Sequence, residues 1–350
     1  MGSFAGDILL GGLFPVHKSE ANGICKEDAK LYVDGIYALE AFLISLDEIN
    51  LNLTDCCGFT LGAVIKDTCM SAKIGLKKSL PFVVDRMLKE NEKSATKINN
   101  SKENSLGQEV IGVVGPMASS VTVQVANLFS LFKIPQISYA ATTPILSNTR
   151  RFPFFFRTVP SDINQATAIV EILKYWEWSY VIGIYESSSY GSQGFAAVEN
   201  AAAKNDICFA SKWKIDIDTK NARNITFYRN KLKQFYLEKP KAKTVVLYMT
   251  EQYAKLIFEA VEAENLQDHF VWIGCDGWGS KYIDDPLKSV AEGAIATHPV
   301  AKKWEKFEAH MQNLKPSNEH DQKNPWLRKL WEEVHGCSFN PDIDNCNVSC

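Results

Sequence analysis

The sequence has no long apolar run and no marked excess of charge of either sign. A membrane-spanning helix needs roughly 18 consecutive apolar residues, and no stretch of the 350-residue chain reaches that length. The 38 basic and 41 acidic side chains leave a net charge of -3, so no basic field is available to hold nucleic-acid phosphates. At roughly 150 residues per domain, the length predicts two domains.

Motifs of catalysis and of metal binding are missing as well. The sequence contains no G-x-S-x-G, H-E-x-x-H, Walker A or G-x-G-x-x-G pattern, which mark common nucleophilic, zinc and phosphate sites. The six histidines are scattered, and the nine cysteines form no pair of C-x-x-C motifs. We therefore expect no metal centre, no cofactor and no enzyme activity.

Cysteines and glycosylation sequons, by contrast, are plentiful. Nine cysteines occur, three of them in a C-terminal cluster that predicts a small disulfide-closed loop (Cys337, Cys346 and Cys350). Four N-x-[ST] sequons accompany them, at Asn52, Asn99, Asn224 and Asn347. Together they favour an oxidising, secretory environment. The amino terminus is not a standard signal peptide, so we expect a leader that was removed or never included.

Short apolar runs alternate with amphipathic helical stretches along most of the chain. Because most runs are continuous, they are typical of parallel strands covered on both faces. The alternation predicts an α/β fold with doubly wound parallel sheets. Arg150–Pro160, an aromatic segment, is read as a crossing between two lobes or as one ordinary buried strand, and Lys89–Gln108 as a surface loop. The predicted strands are Ile8–Phe14, Phe59–Ile65, Val110–Val114, Ile134–Tyr139, Tyr180–Tyr185, Thr244–Met249 and Phe270–Gly274.

Polar residues follow several of these strands, where ligands bind in open α/β sheets. Gly115–Ser120 precedes a helix whose N-terminus is suited to a carboxylate, although Ser119 or Ser120 as an ordinary N-cap is the alternative. Ser138–Thr143 offers hydroxyls and backbone donors. Asp162 and Asp276 offer carboxylates, and Tyr190 offers a phenol. For Asp162 the alternative is an ordinary N-cap of the helix that follows. A carboxylate receptor near two carboxylates complements the zwitterion of an α-amino acid.

The same segments resemble the ligand-binding (Venus flytrap) domain of class C G-protein-coupled receptors, of the metabotropic glutamate receptor type. The resemblance covers nearly the whole chain and implies a two-lobed clamshell, periplasmic-binding-protein-like type I. It places lobe 1 at residues 1–155, lobe 2 at 156–300, and the start of a return to lobe 1 at 301–350. The matching segments are GDILLGGLFPVH, LEAFLISLDEIN, GVVGPMASSVTVQVANLFSLFKIPQISYAATTPILS, FFFRTVPSD, SYGSQGF, CDGWG and NPWLRKLWEE.

The resemblance also implies roles for individual residues. The family holds the ligand's α-carboxylate at positions matching Ser119 and Thr142, with backbone help at Ala140. It holds the α-amino group at positions matching Asp162, Tyr190 and Asp276. We therefore expect an amino-acid head group to bind here.

The side-chain end of the implied pocket departs from the glutamate-binding pattern. Ala38 stands where such members carry an arginine for the distal carboxylate, and Asp34 replaces a tyrosine one turn earlier. In the second lobe Glu251 replaces a glycine of some members, and Lys281 stands where a basic residue is common. A desolvated carboxylate without its partner costs about 2 to 5 kcal/mol. We expect a neutral or cationic amino acid; the alternative is that Asp34 and Glu251 are solvated surface acids.

Further expectations follow from the resemblance. It implies disulfides between Cys25 and Cys69 and between Cys337 and Cys350 or Cys346, a cysteine at Cys208 that bonds outside this chain, and no assignment for Cys56 and Cys57. It implies a homodimer through lobe 1, and a heterotrimeric G protein reached through a transmembrane region absent from a truncated chain. Alternatives are a secreted amino-acid-binding protein or a calcium-sensing, taste or pheromone-type class C receptor.

Overall fold

The computed structural model describes residues 2–19, 24–94, 109–279 and 287–339, with the side chains of residues 85 and 88–94 left aside. The chain divides into two compact units. Unit 1 comprises Met1–Ala141, Thr149–Thr158 and Lys302–Cys350, and unit 2 comprises Thr142–Asn148 and Val159–Ala301. Each unit is built around its own sheet.

The described part of unit 1 contains a six-stranded sheet in the order β1-β3-β2-β4-β5-β6. Its strands are parallel except for β1, which pairs antiparallel with β3. Strand β2 is buried or half-buried along its whole length and β4 is exposed only at Ile111, which agrees with their continuous apolar sequences. The strands are β1 (Gly2–Phe4), β2 (Ile8–Phe14), β3 (Leu61–Asp67), β4 (Val110–Val114), β5 (Gln136–Ser138) and β6 (Phe155–Arg157).

Three helices accompany these strands: α1 (Val33–Cys57), α2 (Ala72–Ser94) and α3 (Ser119–Leu131). Helix α1 buries one stripe of apolar residues at helical spacing, among them Ile36, Leu39, Leu43 and Leu46. It ends at Gly58, which caps it in the left-handed conformation with φ 69°. Because α2 continues to Ser94, the prediction of a loop beginning at Lys89 is wrong. The rest of that predicted loop, from residue 95, lies outside the described residues.

The described part of unit 2 contains a five-stranded, fully parallel sheet in the order β11-β10-β9-β7-β8. Its core strand β9 is buried at every residue. The elements are α4 (Asp162–Tyr175), β7 (Tyr180–Glu186), α5 (Ser189–Ala203), β8 (Cys208–Ile215), α6 (Ile225–Glu238), β9 (Thr244–Tyr248), α7 (Glu251–Ala263), β10 (Val271–Gly274), α8 (Asp276–Gly279), α9 (Lys288–Ala291) and β11 (Ile295–Ala296). Strand β8 is absent from the predicted strands because it mixes polar and apolar side chains and contains no continuous apolar run.

The chain returns to unit 1 through α10 (Glu305–Asn313), α11 (Asn318–Lys323) and α12 (Leu327–His335). Glu40, which is fully buried on α1, contacts this return segment through its carboxylate. His310 Nε2 lies 3.2 Å and His320 Nε2 2.9 Å from its carboxylate, and Asn324 Nδ2 donates at 2.5 Å. The buried charge thus fastens three positions of the return segment to the first helix.

The parallel sheets flanked by helices confirm the predicted α/β class. None of the described helices combines the length and apolar character needed to cross a membrane.

Candidate functional site

In unit 1 the loops after β4 and β5 are tied together at the carboxyl ends of adjacent strands. Ser138 Oγ donates to the Pro116 carbonyl at 2.7 Å and accepts the Ala141 N–H at 3.0 Å. Gly115 has φ 97°, and a Cβ there would lie 2.1 Å from the Leu13 carbonyl oxygen, so only glycine fits. These contacts place Ala140 and the start of α3 on neighbouring loops.

Ser119 is the first residue of α3 and is buried. The residue before it, Ala118, occupies the N-cap position without a side-chain hydrogen bond. The alternative that Ser119 or Ser120 serves as an ordinary N-cap is therefore wrong. Thr122 Oγ1 donates to the Ala118 carbonyl at 2.9 Å, which holds the first turn in place.

Within unit 2, Thr142 and Asp162 meet through the backbone. The Asp162 N–H donates to the Thr142 carbonyl at 2.9 Å, and both residues are buried. Ser161 caps α4 by accepting the Ile163 N–H, so Asp162 is the first helical residue and not the cap that the alternative proposed. Thr143 Oγ1 donates to the Ser189 carbonyl at 3.2 Å, beside Tyr190. The segment around Thr142 therefore packs against the first turns of α4 and α5.

Tyr190 and Asp276, 86 residues apart, are in direct contact. Tyr190 Oη donates to Asp276 Oδ1 at 2.5 Å and accepts the Gly277 N–H at 3.0 Å. Gln165 Nε2 donates to the same Oδ1 at 2.9 Å, and Gln165 Oε1 accepts the Asp276 N–H at 3.1 Å. Among the described residues none donates to Oδ2, so this half-buried carboxylate keeps one oxygen for a further donor.

Sequence reasoning missed Gln165. Its signal was available, because Gln165 lies one helical turn after Asp162 on α4 and so falls on the same face. A glutamine there satisfies both the N–H and one oxygen of Asp276.

Two buried tyrosines, Tyr190 and Tyr248, lie near the carboxylates of Asp162 and Asp276. Burial raises the pKa of Tyr190 well above its usual value, as do the nearby Cys275, Tyr248, Asp276 and Asp162. Burial, with Asp162 as the next cause, likewise raises the pKa of Tyr248. Both phenols therefore keep their protons and can act as donors beside the negative charges.

Three of the four residues predicted for the side-chain end are described: Asp34 and Ala38 lie in the first two turns of α1, and Glu251 begins α7. In unit 1 Tyr32 Oη donates to Asp34 Oδ2 at 3.1 Å. Ala38 packs against the core cluster that contains Phe14, and Tyr139 packs against the same cluster. The rings of Phe14 and Tyr139 stack with centroids 5.7 Å apart. In unit 2 Glu251 is the exposed first residue of α7, and Lys281 lies outside the described residues.

Cys25 and Cys69 form a disulfide. His17 Nδ1 lies 2.6 Å from Asp67 Oδ2, and these four side chains offer ligand atoms within 4.8 Å of one another. Since both sulfurs are bonded to each other, they offer no thiolate for a metal ion. Asp67 Oδ1 instead accepts the Val16 and Cys69 N–H groups, each at 2.8 Å, and so supports the cross-link.

The remaining cysteines differ in state. Cys56 and Cys57 are joined to each other, Cys208 is free and exposed, and Cys275 is free and buried. Cys337 is disulfide-bonded, while its predicted partners Cys346 and Cys350 lie outside the described residues. Of the sequons, Asn52 and Asn224 are exposed, and Asn99 and Asn347 lie outside the described residues.

Each of the two α/β units carries polar side chains at the carboxyl ends of parallel strands, which is where open α/β sheets bind ligands. The chain belongs to the family described as "Receptor family ligand binding region", whose model matches residues 37–329. This match confirms the predicted class of receptor rather than enzyme.

The chain is similar to metabotropic glutamate receptors. It is 37% identical over 355 residues to the "Metabotropic glutamate receptor" of Drosophila melanogaster, covering 98% of this chain and 35% of that protein. It is 37% identical over 341 residues to "Metabotropic glutamate receptor 8" of Homo sapiens, covering 95% and 36%. The mouse receptor 8 is 36% identical over 340 residues. These matches confirm the predicted class C resemblance, and the chain spans about a third of the length of these curated relatives.

Proposed function

We propose that this chain is the extracellular amino-acid-binding part of a metabotropic glutamate receptor-like protein of the plasma membrane. The observation that carries the proposal is the Asp276 carboxylate, which is held by Tyr190 and Gln165 through Oδ1 alone. A carboxylate oriented in this way, with one oxygen open, suits an incoming ammonium group. Exposed sequons at Asn52 and Asn224 agree with an extracellular location.

The proposed head-group site has an acidic and a neutral part. In unit 2 Asp162, Tyr190 and Asp276 bind the α-amino group. The α-carboxylate is bound by the hydroxyls of Ser119 and Thr142 and by the backbone of Ala140, with the N-terminus of α3 adding its positive dipole end. Opposite charges on the two ends of the ligand fix its orientation.

We propose that the ligand's side chain is neutral or cationic. Ala38 supplies no positive charge, and the nearby Asp34 is acidic. A distal carboxylate would lack its partner, which costs about 2 to 5 kcal/mol if the site is desolvated. Asp34 accepts a hydrogen bond from the Tyr32 hydroxyl at 3.1 Å, on the first turn of the helix that carries Ala38.

In a whole receptor, we propose that ligand binding brings units 1 and 2, the two lobes, together. Closure would shift a homodimer formed through unit 1 toward an active state, which a heterotrimeric G protein reads on the other side of the membrane.

Isothermal titration calorimetry of the secreted chain tests the proposal. The panel comprises L-glutamate, L-alanine, L-glutamine, L-ornithine and L-arginine. We expect neutral or basic members to bind and Asp162→Ala to abolish that binding. Ala38→Arg should reverse the preference toward L-glutamate by about tenfold or more, the effect of one restored charge pair.

Two results would contradict the proposal in different ways. If no amino acid binds, the head-group assignment fails. If L-glutamate binds the unaltered chain more tightly than every other member, the head-group assignment stands and the side-chain prediction fails.

A further inference from the structure

Glu186, the last residue of β7, is a buried carboxylate in which both oxygens are occupied by protein donors. Its side chain is only 2% exposed. Oε1 accepts the Ser188 hydroxyl at 2.5 Å, and Oε2 accepts the backbone N–H and the hydroxyl of Thr250 at 2.9 and 2.7 Å. A buried carboxylate is stable only with such partners. Both oxygens of Glu186 are therefore used by the loops that contain Ser188 and Thr250.

The Ser188 contact leads to Tyr190. Ser188 is the N-cap of α5, and its Oγ accepts the Gly191 N–H at 3.0 Å while donating to Glu186. The approach is close, because a Cβ at Gly191 would lie 2.4 Å from Glu186 Cγ. One hydroxyl therefore joins Glu186 to the helical turn that carries Tyr190.

The Thr250 contact leads to the loop after β9. Thr250 precedes α7 but does not cap it through its side chain; its hydroxyl donates to Glu186 instead. The neighbouring Met249 carbonyl accepts the Cys275 thiol at 3.4 Å, directly before Asp276. Glu186 thus links the ends of β7 and β9, and the end of β10 is joined to both, through Tyr190 and through Met249.

We infer that Glu186 is a positioning residue for the amino-acid head group. It contacts Ser188 and Thr250, and through them it sets the direction in which Tyr190 Oη meets Asp276. The inference rests on the proposed function, since the oriented pair matters only if Asp276 receives an ammonium group. Without the Glu186 carboxylate, three donors lose their acceptor and the first turn of α5 is free to shift.

Three variants of the full chain test this inference: Glu186→Ala, Glu186→Gln and Val198→Ala. Glutamine keeps the shape and one acceptor oxygen, so it should behave as a partial rescue. Val198 is a buried core residue of α5, so its truncation is the control for a general loss of stability. Melting temperatures of the three variants show whether Val198→Ala loses as much stability as Glu186→Ala.

The first readout is the contribution of the ammonium group to affinity. Calorimetry compares L-arginine with 5-guanidinopentanoate and L-glutamate with glutarate, pairs that differ only in the α-amino group. Glu186→Ala should lower the ratio of the two affinities by about tenfold, as loss of one charge-assisted contact would. Glu186→Gln should lower it less, and Val198→Ala should leave it unchanged. An equal ratio in all proteins would overturn the inference.

The second readout needs no ligand. Hydrogen exchange should be faster at the Gly277 amide, which donates to Tyr190 Oη at 3.0 Å, in Glu186→Ala than in Val198→Ala. Equal exchange at Gly277 in both variants overturns the inference even if amino acids bind. If the unaltered chain binds no amino acid, the proposed function fails, while exchange at Gly277 still decides whether Glu186 orients Tyr190. Glu186→Gln provides the same reading if the alanine variant does not fold.

Discussion

Two acidic side chains, Glu40 in unit 1 and Asp276 in unit 2, differ in how their oxygens are used. Each of the two Glu40 oxygens has a partner, since His310 faces Oε2 while His320 and Asn324 face Oε1. Asp276 receives two donors on Oδ1, and none of the described residues donates to Oδ2. Glu40 is fully buried, whereas Asp276 is half-buried.

The difference distinguishes a carboxylate used within the protein from one that we propose binds a ligand. Donors on both oxygens stabilise the charge of Glu40 and leave it no role toward a ligand. Asp276 is oriented by its two donors on Oδ1, and the absence of a described donor to Oδ2 suits the ligand-binding role that we propose for it. Four predictions test this distinction, in order of decreasing effect.

The largest effect is expected from Glu40→Ala. Removing one side of a buried ionic cluster costs about 3 to 5 kcal/mol, so the free energy of unfolding measured in urea should fall by that amount. Asp47→Ala is the matched control, since Asp47 lies on the same helix and pairs with Lys323 at 3.0 Å in an exposed setting. An exposed pair contributes about 1 kcal/mol at most. Equal losses in the two variants would refute the structural role of Glu40.

Asp276→Asn should have the opposite profile. If Asp276 meets the ammonium group as proposed, its replacement should weaken amino-acid binding by about 2 to 4 kcal/mol, or on the order of 100-fold. Asparagine keeps an oxygen for Tyr190 and Gln165, so the melting temperature should hardly change. Calorimetry and thermal melting measure the two effects. A large loss of stability with little loss of affinity would place Asp276 in the same category as Glu40.

Gln165→Leu should cause a smaller loss in binding. The variant removes one of two donors to Asp276 Oδ1, which is worth about 1 to 1.5 kcal/mol or roughly tenfold in affinity. Gln234→Leu, at an exposed glutamine on α6 that bonds to Glu238, is the control. Unchanged affinity in Gln165→Leu would show that Tyr190 alone orients the carboxylate.

The smallest effect is a pH dependence of stability centred on Glu40. The hydrogen bond to Glu40 raises the pKa of His320 above its ordinary 6.5, with a contribution from Asp321, while burial and Lys323 oppose the shift. Burial would raise the pKa of Glu40, but hydrogen bonds from His320, Asn324 and His310 and the charge of His320 outweigh it and hold it below the ordinary 4.5.

The signs follow from linkage. The His320 contribution is complete below pH 6.5 and is lost as the pH rises through the raised pKa. The Glu40 contribution is complete above pH 4.5 and is lost as the pH falls through the lowered pKa. The free energy of unfolding should therefore be greatest between these values and decline as the pH rises above 6.5. Urea titrations at a series of pH values should show that decline weakened in His320→Asn and unchanged in His298→Asn, whose ring is exposed.

Residue patterns alone predicted much of the fold. The predicted runs Ile8–Phe14 and Val110–Val114 coincide with β2 and β4, because parallel strands flanked by helices carry apolar residues at nearly every position. Strand β8 is not among the predicted strands, because polar and apolar side chains alternate in it. It lies at the edge of its sheet, where pairing with β7 defines the strand as much as its own sequence does. The short β6, Phe155–Arg157, lies within a segment for which a strand was one of two interpretations.

The sequence by itself determined the α/β class, the family and the residue types that follow each strand, because these depend on patterns local in the chain. Only the tertiary structure decided which groups meet. Gln165 reaches Asp276 across 111 residues, and Asn324 reaches Glu40 across 284. No local pattern encodes such pairs, since the packing of sheets and helices brings them together. The same packing places donors on both oxygens of Glu40, whereas the described donors to the Asp276 carboxylate all meet Oδ1.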